Sequence, residues 1–357
     1  MTNTIRLHLQ IEGHWRPFLE IPGPELARFS LRPIKWLRYL GWCIYGQPGW
    51  LSTTPGGLEV AGDAQPDVDY YYVSNLPARF IDVNAIDDRT SNSSQHNQRP
   101  ASFRQDLIDR DTACIITEAP PNDCTACHIL PHSKGDEYIS CLSSLRADQD
   151  DFPVVEIGDI RNGLLLYNGL HRPFGDGEIA FLLTPNPYLL PEDIPSDAPS
   201  TAPPPPDTAR LTLQHIVPQM APNLIIAPHN RDVRLSPTDM RPSAYLLHFF
   251  YACAILKRWG QSSRPYLLAR DIQSAYYNRE SPYVSDEDER DPPAVTGWPA
   301  SSSRGLPPFG GHRSLSDVMD DLLSLHLLST SNEPLNTKDA SVKVLSWLND
   351  TGMPLLA

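Results

Sequence analysis

Apolar and polar residues alternate near the start of the chain. Residues 5–11, IRLHLQI, place apolar side chains at every second position, which predicts a strand with one buried face. The stretch 69–74, DYYYVS, is rich in β-forming residues and is also predicted as a strand. Residues 24–40 carry apolar residues at helical spacing, and Pro33 should interrupt or restart that helix because proline lacks an N–H.

A polar boundary follows at residues 88–100, DRTSNSSQHNQRP, which are rich in turn formers. It separates a flanking region with strands and a helix, residues 1–100, from a central block, residues 101–190. Within the block, the pattern predicts helices at 102–111 and 136–146 and strands at 113–117, 154–157, 163–167 and 178–184.

A proline-rich spacer, residues 191–209, ends the central block and should be extended, non-helical and largely exposed. Beyond it, residues 210–357 are predicted to be mainly helical, with an irregular tract at 278–312 that contains an acidic cluster at 286–291. The pattern predicts helices at 241–260 and 314–328. The longest apolar run, 244–256, is too short to span a membrane and suits a buried helix.

Composition narrows the possible functions. Apolar residues make up 40% of the 357 residues, enough for a sizeable core, and the 37 prolines indicate many loops. The net charge is −14, from 29 basic and 43 acidic residues. This charge argues against a protein that coats nucleic acid through a basic surface, so any nucleic-acid contact must be local.

The first residues, MTNTIRLHLQIEGHWRP, lack the cationic start and apolar run of a signal peptide. Six cysteines in so long a chain are more typical of reduced thiols or metal ligands than of a disulfide framework. We therefore expect an intracellular protein, cytoplasmic or nuclear, without a transmembrane segment.

The stretch 125–140, TACHILPHSKGDEYIS, concentrates the candidate chemistry and allows three interpretations. Haem attachment would use Cys-x-x-Cys-His, but this motif belongs to exported proteins. A structural zinc site would use Cys124 and Cys127, with Cys114 and Cys141 as further ligands, although only one clean Cys pair is present. The third interpretation is half of a catalytic site, because Asn162 and His171 follow in the same block.

Residues 113–185 resemble the HNH endonuclease family, and the likeness is closest to HNH domains of fungal proteins of unassigned role. The resemblance is carried by CIIT from Cys114, HILP from His128, SKGDEY from Ser133, NGLLL from Asn162, LHR from Leu170 and TPN from Thr184. It implies an α+β fold with a central ββα-metal unit, in which His128 lies on the first strand of a hairpin and His171 on the following helix. The flanks on either side resemble no family.

The resemblance also implies an activity and its residues. The family hydrolyses phosphodiester bonds of DNA or RNA with one divalent metal ion. His128 would be the general base, Asn162 would orient its imidazole, and His171 would bind the ion. An imidazole suits a base because its ordinary pKa lies near neutrality.

Further ligands and phosphate contacts are expected around these three residues. Cys127, His132 and Asp176 are candidate metal ligands beside His171, while Arg172 and Lys134 are candidate contacts to substrate phosphate. The chain has Cys127 where many members have an acidic residue or histidine before the base. It also reads Phe-Gly-Asp-Gly where they read Phe-Asp-x-Gly, so Asp176 is displaced by one position.

The metal follows from the ligand types. Histidine and cysteine ligands would favour zinc, whereas a carboxylate and waters would suit magnesium or manganese. The expected partner is nucleic acid, with DNA favoured over RNA and contact limited to the site. The alternative is a catalytically inactive scaffold that keeps the HNH fold and binds a partner through its flanks.

Overall fold

The computed structural model describes residues 4–60, 62, 68–86, 101–147, 152–196, 209–218, 226–235 and 240–277. All of these lie in one compact unit, Met1–Val284, and the second unit is Ser285–Ala357. The predicted helix 314–328, the acidic cluster 286–291 and the tract 278–312 lie outside the described residues. Helices and sheets are both present, as the predicted α+β class requires.

The first sheet has four strands in the order β2-β1-β4-β3. Its strands are β1 (Thr4–Ile11), β2 (His14–Pro22), β3 (Trp50–Ser52) and β4 (Asp69–Val73). β1 and β2 form an antiparallel hairpin whose turn residues, Glu12 and Gly13, both have positive φ. β1 and β4 are the two strands that the sequence predicts in this region, and they lie parallel.

Two helices follow the hairpin, α1 (Gly23–Phe29) and α2 (Pro33–Tyr45). The predicted interruption at Pro33 is confirmed, since proline occupies the first turn of α2, where its missing N–H costs nothing. α2 ends at Gly46, whose left-handed backbone (φ 78°) allows its N–H to bond to the Trp42 carbonyl.

The central block contains a two-stranded sheet and three helices. These are α3 (Ala101–Asp111), β5 (Cys124–His128), α4 (Gly135–Arg146), β6 (Gly163–Tyr167) and α5 (Asn168–Gly175). The predictions at 102–111, 136–146 and 163–167 are confirmed. No ladder forms at 113–117 or 154–157, where strands were predicted. At 113–117 the backbone turns around Cys114, whose sulfur accepts the N–H groups of Ile116 and Thr117.

A third sheet, in the order β7-β8-β9, completes the fold. It comprises β7 (Ile179–Thr184), β8 (Arg210–His215) and β9 (Arg231–Val233), followed by α6 (Ala244–Trp259), α7 (Arg264–Leu267) and α8 (Arg270–Gln273). The region predicted as mainly helical thus begins with strands, because β8 pairs along its whole length with β7. Within the described ranges, no helix combines the length and apolar character needed to cross a membrane.

Helix α6 joins the flanks into one core. Its Tyr251 hydroxyl accepts a hydrogen bond from the Trp36 indole (3.0 Å) and donates one to the Gln214 amide (2.6 Å). Trp36 belongs to α2 and Gln214 to β8, so these two bonds connect the N-terminal and C-terminal flanks through a buried hydroxyl.

The prediction of an extended, exposed spacer over 191–209 is wrong for its first residues, which lie inside this packed unit. Pro191–Asp193 form a 3-10 turn in which Asp193 is buried and pairs with the Lys35 ammonium (2.8 Å). The Asp193 carbonyl also accepts the Leu31 N–H. Residues 197–208 of the spacer lie outside the described ranges.

Candidate functional site

The candidate site is built on β5 and β6, an antiparallel pair whose long connection contains α4 and which we call the hairpin. The two strands are antiparallel, and their register pairs His128 with Gly163. Helix α5 follows β6 directly, with the Thr125 hydroxyl of β5 bonded to the Asn168 side chain at the helix start (2.7 Å). The predicted antiparallel pair followed by a helix is present, with His128 ending the first strand and His171 on the helix, and α4 lies in the connection between the two strands.

Asn162 is the last residue before β6 and is completely buried. Its side-chain oxygen accepts the Leu130 N–H (2.8 Å), and its side-chain nitrogen donates to the carbonyls of Leu130 (3.1 Å) and Ile157 (2.9 Å). Its backbone carbonyl accepts the Ile129 N–H (2.8 Å). Asn162 thus acts on the backbone that follows His128, whereas the sequence interpretation had it orienting the imidazole directly.

The ring of His128 packs against aromatic neighbours. It stacks on Phe103 of α3 with ring centroids 4.0 Å apart and planes within 6° of parallel. The ring of His132 meets it edge-on at 5.4 Å. His128 is only 6% exposed, so the candidate base lies at the edge of the core.

His171 and Arg172 occupy the outer face of α5. Leu170 and Phe174 are buried, whereas His171 and Arg172 are exposed and Pro173 is half-buried. The Arg172 side chain is 84% exposed, and its guanidinium lies 3.5 Å from the Asp176 carboxylate one turn later. This ion pair is exposed, and its cation belongs to the residue next to His171.

The described residues contain no group of three or more His, Cys, Asp or Glu side chains that could hold a metal ion. The four candidate ligands, His171, Cys127, His132 and Asp176, therefore do not converge into a site made of protein ligands alone. Histidine and cysteine ligands suit zinc or another transition metal, whereas magnesium, which prefers oxygen ligands, would find only the Asp176 carboxylate among the four.

The alternative zinc site finds no support. Cys124 and Cys127 are three positions apart in β5, so their side chains leave opposite faces of the strand. The Cys127 thiol points to the Thr125 carbonyl (3.5 Å), while the Cys141 thiol donates to the Ala275 carbonyl (2.8 Å). Cys114 accepts a backbone N–H from Tyr167 on β6 (3.2 Å), which is a structural role.

Lys134 is held by a network away from α5. Its ammonium donates to the Tyr277 hydroxyl (3.0 Å) and lies 5.5 and 5.6 Å from the ring centroids of Tyr138 and Tyr277. Both hydroxyls in turn donate to the buried carboxylate of Asp82, at 2.7 and 3.0 Å. Desolvation raises the pKa of Tyr138 and Tyr277, so both hydroxyls stay protonated and keep donating.

Sequence reasoning missed a buried clamp that fixes α3 to the hairpin. The Arg110 guanidinium makes two bonds of 2.7 Å to Asp111 and reaches the carbonyls of Ile160 and Gly163, both at 2.9 Å. The Asp111 carboxylate accepts the Leu165 N–H of β6 (3.2 Å). The sequence Asp-Arg-Asp at the end of α3 gives no sign of this clamp, because such triplets are common on exposed helix faces.

Neither the curated proteins nor the solved structures returned a match to this chain. Residues 114–182, from the Cys114 turn to β7, match the family model described as HNH endonuclease, the family that the sequence motifs indicate.

Proposed function

We propose that residues 101–190 form a metal-dependent endonuclease unit that hydrolyses phosphodiester bonds of nucleic acid, with DNA favoured over RNA. One observation carries the proposal: a single hairpin–helix unit places His128 at the end of β5, Asn162 before β6 and His171 on α5. The family match over the same residues indicates nuclease activity in general. HNH domains also generally bind nucleic acid and use a divalent metal ion.

His128 is the proposed general base. It would take a proton from the water that attacks the phosphorus, a task for which an imidazole is suited near neutral pH. Stacking on Phe103 and contact with His132 support a fixed ring orientation. Asn162 would help by holding the Leu130 backbone, so that the end of β5 stays in place under His128.

A divalent ion would be held chiefly by His171, with His132, Asp176 or Cys127 as a further ligand. Magnesium, manganese and zinc are the candidates. When bound, the ion would supply positive charge to the negative oxygen that leaves the phosphorus. Exposure of His171 and Asp176 supports an ion that enters with the phosphate, whereas the buried Cys127 thiol is the weakest of the four ligands.

Arg172 is the better supported of the two phosphate contacts. Its guanidinium is exposed and adjacent to His171, and its fork of N–H donors fits a phosphate. Lys134 is less well placed, because its ammonium already bonds to the Tyr277 hydroxyl and packs over two tyrosine rings. Because the chain is acidic overall, binding would depend on these few cations and on the ion, and it should weaken as salt increases.

The test is a cleavage assay with the purified full chain. Duplex DNA, single-stranded DNA and RNA are each incubated with Mg²⁺, Mn²⁺, Ni²⁺ or Zn²⁺, with a chelator as the blank. We expect cleavage with at least one metal, abolished by the chelator and slowed about 10²- to 10⁴-fold in His128→Ala. Metal titration should show weaker binding by His171→Ala and unchanged binding by His128→Ala.

A second candidate function is an inactive HNH-fold scaffold that binds a protein partner. Two observations favour it: the described ligands do not converge on a common point, and the net charge is −14. If no nucleic acid is cleaved with any of the four metals, the scaffold function replaces the nuclease.

A further inference from the structure

We propose that Phe103, in the helix that precedes the family match, is a positioning residue that sets the plane of the His128 imidazole. The proposal rests on the proposed function, because it assigns a role toward the candidate base. Phe103 touches neither substrate nor metal in this role. It acts only through the ring that it stacks on.

The contact between the two rings is extensive. Centroids 4.0 Å apart with planes 6° from parallel place the phenyl ring over one face of the imidazole. Phe103 is 3% exposed, so water does not compete for this face. Rotation about the last torsion of histidine has no sharp minimum of its own, and a ring packed on one face restricts it.

The hairpin is shaped to receive Phe103. Gly163, the register partner of His128, has no side chain, and a Cβ there would lie 2.7 Å from the Phe103 ring and 2.9 Å from Leu107 of the same helix. That distance is far below ordinary carbon contact, so any larger residue would displace Phe103 or Leu107. Because Gly163 has no side chain, the Phe103 side chain of α3 has room to pack against the His128 ring.

Helix α3 is also fixed in rotation and position. Arg110 lies seven residues after Phe103, two turns along the helix, and bonds to the carbonyls of Ile160 and Gly163 on either side of Asn162. The Phe103 ring therefore belongs to a helix that is hydrogen-bonded to the hairpin on which His128 lies. Asn162, by contrast, directs its amide to the backbone of Leu130 and Ile157.

The separate roles of Asn162 and Phe103 would both affect catalysis. A general base must direct one nitrogen at the attacking water, and productive geometry tolerates only about 10–20° of misorientation. Asn162 would fix where the end of β5 lies, and Phe103 would fix how the ring is turned. Loss of Phe103 should then slow the chemical step without changing how substrate binds.

The experiment compares Phe103→Leu with Phe181→Leu, a buried phenylalanine of β7, in the full chain. Steady-state cleavage gives kcat and KM, and NMR gives the ring-proton shifts of His128, assigned with His128→Ala. The stacked ring should hold these protons upfield. In Phe103→Leu we expect kcat to fall about 3- to 10-fold, KM to stay constant and the His128 signals to move downfield. Phe181→Leu should leave the His128 signals and kcat/KM in place.

Several outcomes would overturn the role. An active wild type whose kcat is unchanged or raised in Phe103→Leu overturns it alone, as does an unchanged His128 spectrum. A wild type that cleaves no nucleic acid overturns the nuclease and this role together. If Phe103→Leu fails to fold, Phe103→Met, which keeps a long apolar side chain but has no ring, gives the same comparison.

Discussion

The side chain of Asn162 pairs with the backbone of Leu130 through two hydrogen bonds. Its oxygen accepts the Leu130 N–H at 2.8 Å, and its nitrogen donates to the Leu130 carbonyl at 3.1 Å. The Asn162 amide group takes the place of a backbone N–H and C=O of a neighbouring strand, just after β5 ends at His128. The segment after His128 is thereby held against β6 without a further strand residue.

Asn162→Ala should therefore cost stability as well as activity. The change leaves buried groups of Leu130 and Ile157 without partners, which should lower the free energy of unfolding by about 3 kcal/mol. Urea denaturation measures the loss. Asn186→Ala is the matched control, because the Asn186 side chain also bonds to backbone groups but lies partly exposed. An equal loss in both variants would contradict a special role for Asn162.

Gly163→Ala should be destabilising through overpacking. The added Cβ meets the Phe103 ring at 2.7 Å, and forced shifts of this kind cost about 1–3 kcal/mol. Shortening the opposing side chain tests the cause. The double variant Gly163→Ala/Phe103→Leu should lose less stability than the two single variants added together, as measured by chemical denaturation. Strict additivity would mean that the two residues do not compete for space.

Acid should destabilise the fold through two buried histidines. Burial lowers the pKa of both His229 and His248 from 6.5 to about 4, and each is hydrogen-bonded in the folded chain. The His229 ring accepts the His215 N–H and donates to the Arg28 carbonyl, which fixes a neutral tautomer. Because the unfolded chain binds the proton more tightly, this stability is complete above pH 6.5 and is lost as the pH falls toward 4.

Denaturation at pH 7 and pH 5 measures the effect. Each histidine should contribute a loss of about 2 kcal/mol between these values. His248→Gln removes one of the two groups while keeping a polar partner for the Tyr39 hydroxyl, so its loss on acidification should be smaller by about that amount. An identical acid response in wild type and His248→Gln would show that His248 is not protonated on unfolding.

Arg172 and Lys134 should respond differently to loss of charge. Arg172→Gln should raise KM about tenfold and reduce the dependence of binding on salt, because it removes an exposed phosphate contact. Lys134→Gln should mainly lower the melting temperature, since the ammonium supports the Tyr277–Asp82 network. KM measured over a range of salt concentrations separates the two. A larger KM effect for Lys134→Gln would reverse their assignment.

The sequence predicted elements correctly both inside and outside the site unit, and its two wrong strands lie inside that unit. Periodicity and turn residues were sufficient for β6, α4 and α6. The apolar residues of each form a run or a repeat of the length of one element, and the structure buries them. The apolar stretches 113–117 and 154–157 were wrongly predicted as strands. Their burial comes from packing of loops: the Ser143 hydroxyl bonds to the Val154 carbonyl, and the Cys114 sulfur accepts backbone N–H groups.

The pairs that define the site geometry were beyond sequence reasoning. Phe103 and His128 lie on a helix and a strand whose relative rotation no local pattern encodes. The same holds for Lys134, whose hydroxyl partner Tyr277 lies far along the chain. His128, Asn162 and His171 were found only because their order and neighbours resemble a family.

The most direct test of the nuclease assignment is the single-turnover cleavage rate of His128→Ala relative to wild type. Both proteins are purified in parallel and assayed with the metal that supports the fastest wild-type cleavage. His14→Ala, which removes an exposed histidine at the start of β2, serves as the control. We predict that His128→Ala cleaves about 10²- to 10⁴-fold more slowly while His14→Ala is unchanged. Equal rates for wild type and His128→Ala would contradict the account.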